Sequence, residues 1–259
     1  MNLSHIRHFA LDMDGTVYKN ETWLDGALDF LHALEKTGRD YVFLTNNSSK
    51  SKQAYLDKLK RMGLDLPPEK LLTSGGAAIY YLQKYYPGHR VYLLGNEMLK
   101  DEFVKAGVPL ARYNPDIVMT AFDTSLNYQK MRRFCDFVRA GVPYFATHPD
   151  VNCPTDSGLM PDIGAIHAFI QASAGRLPDI IIGKPHEAMC EYLFTQTGWD
   201  KNTAAAVGDR ITTDVKLAAA HGFMGLLVLS GATAKEEITA SGIKPDGVFD
   251  SVKDLIQYL

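Results

Sequence analysis

The chain has 259 residues, 46% hydrophobic and 22% charged, with 27 basic against 30 acidic residues and a formal net charge of −3. The ordinary apolar fraction excludes global disorder, and the length suits one large domain or two smaller ones. The near-neutral balance leaves no electrostatic footprint for nucleic acid or for an anionic membrane.

In chain order, residues 6–11 read as a strand. Residues 26–36 read as a helix, with Ala27, Phe30, Leu31 and Leu34 at helical spacing and Asp25 as the N-cap. Residues 41–44 form a second strand, and residues 51–62 a helix closed by Gly63. Thr73-Ser74-Gly75-Gly76 lacks the spacing of a P-loop and reads as a hinge or the start of a helix. Tyr80, Tyr81, Tyr85 and Tyr86 have partly helical spacing and read as packing between two units.

A second set of elements follows. Residues 90–94, 116–120 and 143–146 are strands, and residues 97–106, 127–139 and 163–174 are helices. Late in the chain, residues 180–182, 204–207 and 226–229 are buried-strand candidates, with helices near 186–197 and 213–221 between them. Strands alternating with helices predict an α/β fold with a mostly parallel sheet covered on both faces.

Cys135, Cys153 and Cys190 are sparse and form no CxxC pair, which favours a reducing compartment, the cytoplasm, over a structural zinc site. The first ten residues lack the apolar core of a signal peptide. Residues 217–234 carry no Asp, Glu, Lys or Arg. Three glycines interrupt them, so a helix end, a turn and a buried strand explain them better than a membrane span. Scattered histidines, His148 and His186 among them, read as surface or loop residues.

The strongest chemical signal is Asp12-Met13-Asp14-Gly15-Thr16, two carboxylates at the end of an apolar strand, where open parallel sheets place ligands. Three further segments follow apolar strands in the same way: Thr45-Asn46-Asn47-Ser48-Ser49, Gly183-Lys184-Pro185 and Gly208-Asp209-Arg210-Ile211-Thr212-Thr213-Asp214. Any one of them is an ordinary capping turn or surface lysine. A parallel sheet brings all four to one edge. Converging carboxylates repel: at ~4 Å a like-charged pair costs about 4 kcal/mol at an effective dielectric near 20. An all-oxygen donor set that needs a counter-charge suits Mg²⁺. Aspartate is also an established covalent nucleophile toward phosphoryl groups.

These four segments, in this order and over the whole chain, resemble the motifs of the haloacid dehalogenase (HAD) superfamily. The resemblance implies a Rossmann-like parallel-sheet core and Mg²⁺-dependent phosphoryl transfer through an aspartyl-phosphate. Asp12 resembles the nucleophile, and Asp14 the acid/base. Asp12, the backbone carbonyl of Asp14, and Asp209 resemble the metal ligands, with Asp214 placed behind them. Thr45, Asn46 and Lys184 resemble the phosphate-binding set. Only 30 residues lie between Asp14 and Thr45, whereas 136 lie between Asn47 and Lys184. That spacing places an inserted α/β cap in the second interval, as in class II caps. Residues 1–79 and 182–259 are then the core and residues 80–181 the cap.

The wording Leu44-Thr45-Asn46, Ala146-Thr147-His148-Pro149-Asp150, Gly183-Lys184-Pro185 and Gly208-Asp209-Arg210 resembles the NagD-like, class IIA branch. Relatives commonly show Asn where this chain has His148, so no cap residue is carried over as a contact. The resemblance implies small phosphorylated metabolites as substrates, nucleotide and sugar monophosphates and p-nitrophenyl phosphate among them. A phosphotransferase or mutase and a non-catalytic phospho-metabolite sensor are the alternative readings, and a homo-oligomer is left open. The polar, proline-punctuated residues 148–162 are expected to set substrate choice.

Overall fold

The apolar runs fold as short strands and the amphipathic stretches between them as helices. The computed structural model describes residues 1–155 and 158–259. Its first elements are β1 (His8–Leu11), a small hairpin of β2 (Tyr18–Lys19) and β3 (Thr22–Trp23), α1 (Ala27–Lys36), β4 (Asp40–Thr45) and α2 (Lys52–Arg61). Next come β5 (Leu71–Thr73), α3 (Ser74–Tyr85), β6 (Val91–Leu94), α4 (Glu97–Lys105), β7 (Ile117–Thr120) and α5 (Tyr128–Arg139). Then follow β8 (Tyr144–Ala146), β9 (Asn152–Thr155), β10 (Gly158–Pro161), α6 (Ile163–Ala174), β11 (Ile180–Ile181) and α7 (Glu187–Thr197). The chain closes with β12 (Ala204–Gly208), α8 (Lys216–His221), β13 (Met224–Val228), α9 (Lys235–Ser241) and β14 (Gly247–Phe249).

Two compact units result. One comprises Met1–Thr45, Leu56–Leu72 and Cys190–Leu259, the other Asn46–Tyr55 and Thr73–Met189. The first carries a six-stranded sheet of order β14-β13-β12-β1-β4-β5. β1 pairs in parallel with β12 on one side and β4 on the other. Both neighbours are buried almost throughout, which is why these strands are unbroken apolar runs rather than alternating ones. The chain progresses one way from β1 to β4 and β5, and returns on the other side through β12, β13 and β14. The point where the order reverses, beside β1, is where doubly wound sheets open a ligand crevice. Register fixes what arrives there. Leu11 pairs with both Val207 and Phe43, so residues 12, 208–209 and 44–45 come to one level at the strand ends.

The second unit is the inserted cap, built on a separate four-stranded parallel sheet of order β11-β8-β7-β6. Helix α5 buries Met131, Phe134, Cys135 and Val138, an i, i+3, i+4, i+7 stripe. They pack with Tyr144 of β8 and Ile166 and Ile170 of α6, and the rings of Phe134 and Tyr144 meet edge-on at 5.1 Å. Truncating Phe134 to Ala in such a core costs ~3–5 kcal/mol. The observed α/β class, with a Rossmann-like sheet and an inserted parallel cap, is the one the sequence implies.

Several local expectations are corrected. Asp25 does not cap α1: Gly26 takes the N-cap position at φ 73°, and Asp25 instead pairs with Lys253 at 2.7 Å. The stretch expected as one helix over 213–221 begins as a π-helical turn, Ile211–Val215, before α8. Residues 148–162 contain the antiparallel hairpin β9–β10, whose residues 156–157 lie outside the described residues. Tyr81 and Tyr86 pack on Phe145 of the cap's own sheet. Thr73 does start a helix, accepting the Gly76 N–H at 3.0 Å. No helix among the described residues is long and apolar enough to cross a membrane.

Candidate active site

Asp12 follows β1 directly, and its N–H extends the ladder to the Val207 carbonyl at 2.9 Å. The next residues wrap tightly: the N–H groups of Thr16, Val17 and Tyr18 all turn back to the Met13 carbonyl. The wrap brings Asp14 beside Tyr18, whose hydroxyl lies 3.5 Å from Asp14 Oδ2. The Tyr18 ring carries the Lys58 ammonium 3.9 Å from its centre, a buried cation–π contact.

From the neighbouring strand, Asp209 follows β12, and Asp214 lies one π-helical turn further on. One carboxylate oxygen each from Asp12, Asp209 and Asp214 lies within 4.8 Å of the others. Asp209 Oδ2 accepts the Ala232 N–H at 2.6 Å, and Asp209 Oδ1 faces the Thr16 hydroxyl at 3.4 Å. Asp214 Oδ2 accepts the Thr213 hydroxyl at 3.2 Å and the Arg210 N–H at 3.3 Å.

Space around Asp209 exists because two neighbours have no side chain. A Cβ on Gly15, which also holds φ +91°, would lie 2.5 Å from Asp209 Oδ2, and a Cβ on Gly231 would overlap the same oxygen. Burial, then the charges of Asp12 and Asp214, push the Asp209 carboxyl up to about 7. At the observed separation a like-charged pair costs about 3–4 kcal/mol at an effective dielectric near 20. A hard divalent cation would remove that repulsion, and an all-carboxylate donor set has the chemistry to hold one. Asp214 lies close enough to Asp12 and Asp209 to add its charge to theirs.

Thr45 is the buried last residue of β4, in the same unit as the acidic cluster. Asn46 and Lys184 belong to the second unit. There the Asn46 side chain locks the Lys184 main chain: Oδ1 accepts the Lys184 N–H at 2.8 Å, and Nδ2 donates to its carbonyl at 3.0 Å. Nδ2 also reaches Asp150 Oδ2 at 3.2 Å. Lys184 is 3% exposed, not a solvated surface charge. Gly183 permits this approach, since a Cβ there would lie 2.6 Å from both Asn46 Oδ1 and the Thr147 carbonyl.

His148 is fully buried, not the surface residue its sequence context suggests. It sits between two carboxylates, with Nδ1 3.5 Å from Asp150 Oδ2 and Nε2 3.7 Å from Asp162 Oδ1. Asp150, from the same motif, and Asp162, which no motif singles out, give a buried imidazole polar company. Residues 230–232 are the other omission. The Ser230 hydroxyl donates to the Gly15 carbonyl at 2.7 Å, and the Ala232 N–H clamps Asp209. They follow the apolar run of β13, so the strand-end rule that exposed the four motifs applies to them equally.

Two family models match the chain. One, described as haloacid dehalogenase-like hydrolase, covers residues 9–109, and a second, HAD-hydrolase-like, covers residues 181–255. The 5'-nucleotidase YutF of Bacillus subtilis is 30% identical over 97% of this chain and 98% of its own. An acid sugar phosphatase of Staphylococcus aureus is 30% identical over 99% of both chains. Among solved structures, a 4-nitrophenylphosphatase from Thermotoga maritima superposes with a TM-score of 0.94 at 41% identity, covering 98% of each chain.

Proposed function

The chain belongs to the haloacid dehalogenase-like hydrolases, in their NagD-like branch, and is a phosphoric monoester hydrolase; on that premise we propose that it hydrolyses small phosphorylated metabolites, nucleotide or sugar monophosphates and p-nitrophenyl phosphate among them, through a phosphoaspartate on Asp12. The observation that carries this reading is the Asp12 carboxylate held within 4.8 Å of those of Asp209 and Asp214 at the switch point of a parallel sheet.

In this reading an Asp12 oxygen attacks phosphorus in line as the bond to the leaving oxygen breaks. Asp14 gives its carboxyl proton to that leaving oxygen. It then takes a proton from the water that hydrolyses the acyl phosphate. Tyr18, within reach of Asp14 Oδ2, orients that carboxyl. Thr45, Asn46 and Lys184 are the phosphate-binding set that the motifs suggest, with the Lys184 ammonium offsetting the anion and Asn46 fixing the Lys184 backbone. Mg²⁺, which Asp12, the Asp14 carbonyl and Asp209 would hold with Asp214 behind them, supplies charge neutralisation for the phosphate oxygens when bound.

The test is phosphate release from a panel of phosphorylated metabolites, with and without Mg²⁺. Asp12→Asn is expected to lower kcat by ~10³-fold or more on every substrate; a variant that still turns over removes Asp12 from the nucleophile role. Added alcohol acceptors would reveal a phosphotransferase. A sensor would bind ligands and release no phosphate, yet it would have no need of the Asp12/Asp14 pair.

We also propose that residues 148–162, which contain β9 and β10, set substrate choice. The segment is exposed along β10, where Leu159 is 71% accessible, so its side chains there contribute to binding rather than to the core. Grafting a relative's segment is expected to redistribute kcat/KM among substrates, and an unchanged preference profile would sink the idea.

A further inference from the structure

The cap carries a cavity of about 400 Å³ beside its edge strand β6, and no motif residue of the phosphatase reading lines it. We propose that this cavity binds an organic polyanion of the nucleoside-phosphate class. Its floor is apolar, from Val91 and Leu93 of β6 and Leu110, which pairs alongside Val91. Its walls are basic: Lys100 from α4, Lys130 and Arg133 from α5, and Arg112.

Two of the four cations are neutralised. Lys100 pairs with Glu97 at 2.7 Å, and Lys130 pairs with the buried Asp123 at 2.7 Å. Arg112 and Arg133 have no carboxylate partner among the described residues. Their guanidinium carbons lie 5.7 and 5.5 Å from the centre of one ring, that of Tyr113, which is 65% exposed. Both positive charges also reach the buried Tyr92 phenol in the cavity wall. Two guanidiniums without a carboxylate partner leave positive charge at the cavity that an anion would offset.

The same residues define the ligand's chemistry. A guanidinium presents a planar fork that matches phosphate oxygens bidentately, which a lysine does not. The apolar floor and the Tyr92 ring in the wall suit a flat ring system joined to that phosphate. A cavity of this size falls in the ~300–1,000 Å³ range of small-molecule sites, and inorganic phosphate alone would leave most of it empty. All lining residues lie within the cap unit, so the site is complete in one compact body.

Calorimetric titration of ADP separates this site from the acidic one. The protein is the full chain carrying Asp12→Asn, in EDTA and at physiological salt, so that turnover and metal-assisted binding are both absent. Adding Arg112→Ala and Arg133→Ala is expected to weaken ADP binding at least tenfold. Adding Arg112→Lys and Arg133→Lys instead is expected to give an intermediate loss, because the charge stays and the fork goes. In the Asp12 background, the two alanine substitutions leave kcat/KM for p-nitrophenyl phosphate unchanged, which also reports an intact fold. Arg112→Ala alone, at an exposed position, serves if the pair fails to fold. Equal ADP affinity with and without the arginines overturns the proposal. So does pyrophosphate binding as tightly as ADP, which would leave a bare charge sink with no place for the ring.

Discussion

Every hydrogen-bonding atom of the Asn46 side chain is spent on its neighbours. Its amide bridges both main-chain groups of Lys184 and touches Asp150, so it shapes the backbone that presents a buried lysine. Removing it takes one hydrogen bond from a buried N–H and one from a buried carbonyl, at ~0.5–1.5 kcal/mol each. Asn46→Ala is therefore expected to lower the melting temperature and to raise KM more than it lowers kcat, because the lysine loses its fixed place while Asp12 and Asp14 keep theirs. A variant with unaltered KM would assign Asn46 a purely structural part. The amide also shows why Thr45-Asn46 looked like ordinary capping residues in the sequence. Their composition is that of any polar turn, and the partner 138 positions away has no local signature.

At the scale of elements, legibility follows burial. β1, β4, β12 and β13 are buried on both faces and stand out as apolar runs, and α5 shows its stripe at helical spacing. Three of the four strand-end motifs were legible for the same reason, since each follows such a run; Gly183-Lys184-Pro185 instead follows β11, a short, half-buried edge strand of the cap sheet. The hairpin β9–β10 has no buried face in its second strand and carries Pro154 and Pro161, so nothing in its pattern announces a strand. The π-helical turn before α8 was equally hidden, because its periodicity differs from that of an α-helix by a single residue.

Helix α6 supplies a prediction of its own. His167 is buried on it with Nε2 3.0 Å from the Thr120 hydroxyl, and burial, helped by His148, lowers its pKa to about 4. The neutral ring is thus the folded form. The unfolded chain takes up a proton near pH 6.5 while the fold refuses it until about pH 4, so stability present above pH 6.5 is lost as pH falls through that window. The loss amounts to ~3 kcal/mol at the acid end. His167→Gln keeps a polar partner for Thr120 and removes the titration. The difference in stability between wild type and variant should shrink or reverse from pH 7 to pH 4, and parallel pH profiles would reject the assignment.

For the whole molecule, the net charge of −3 conceals an uneven distribution. Three carboxylates crowd one end of β1 and β12, and all three belong to the unit built on the six-stranded sheet. Metal binding is then a stability term for that unit. An ion held only by the folded state at 100 times its Kd adds ~2.7 kcal/mol, which for a unit of this size raises the melting temperature by roughly 10 °C. Scanning calorimetry with increasing Mg²⁺ should show one transition moving upward while that of the cap stays in place. Asp209→Asn sharpens the test. It removes a charge whose carboxyl is already pushed up to about 7 by burial and by Asp12 and Asp214, and the Ala232 N–H can still donate to the new amide oxygen. The metal-free variant should therefore melt higher than the metal-free wild type near pH 8, yet gain nothing from Mg²⁺ and lose turnover. Stability and activity would move in opposite directions at one residue, as expected where repulsion is maintained for the sake of a bound cation. A variant that melts lower without metal, or still shifts with Mg²⁺, would mean that Asp209 holds the fold together rather than the ion.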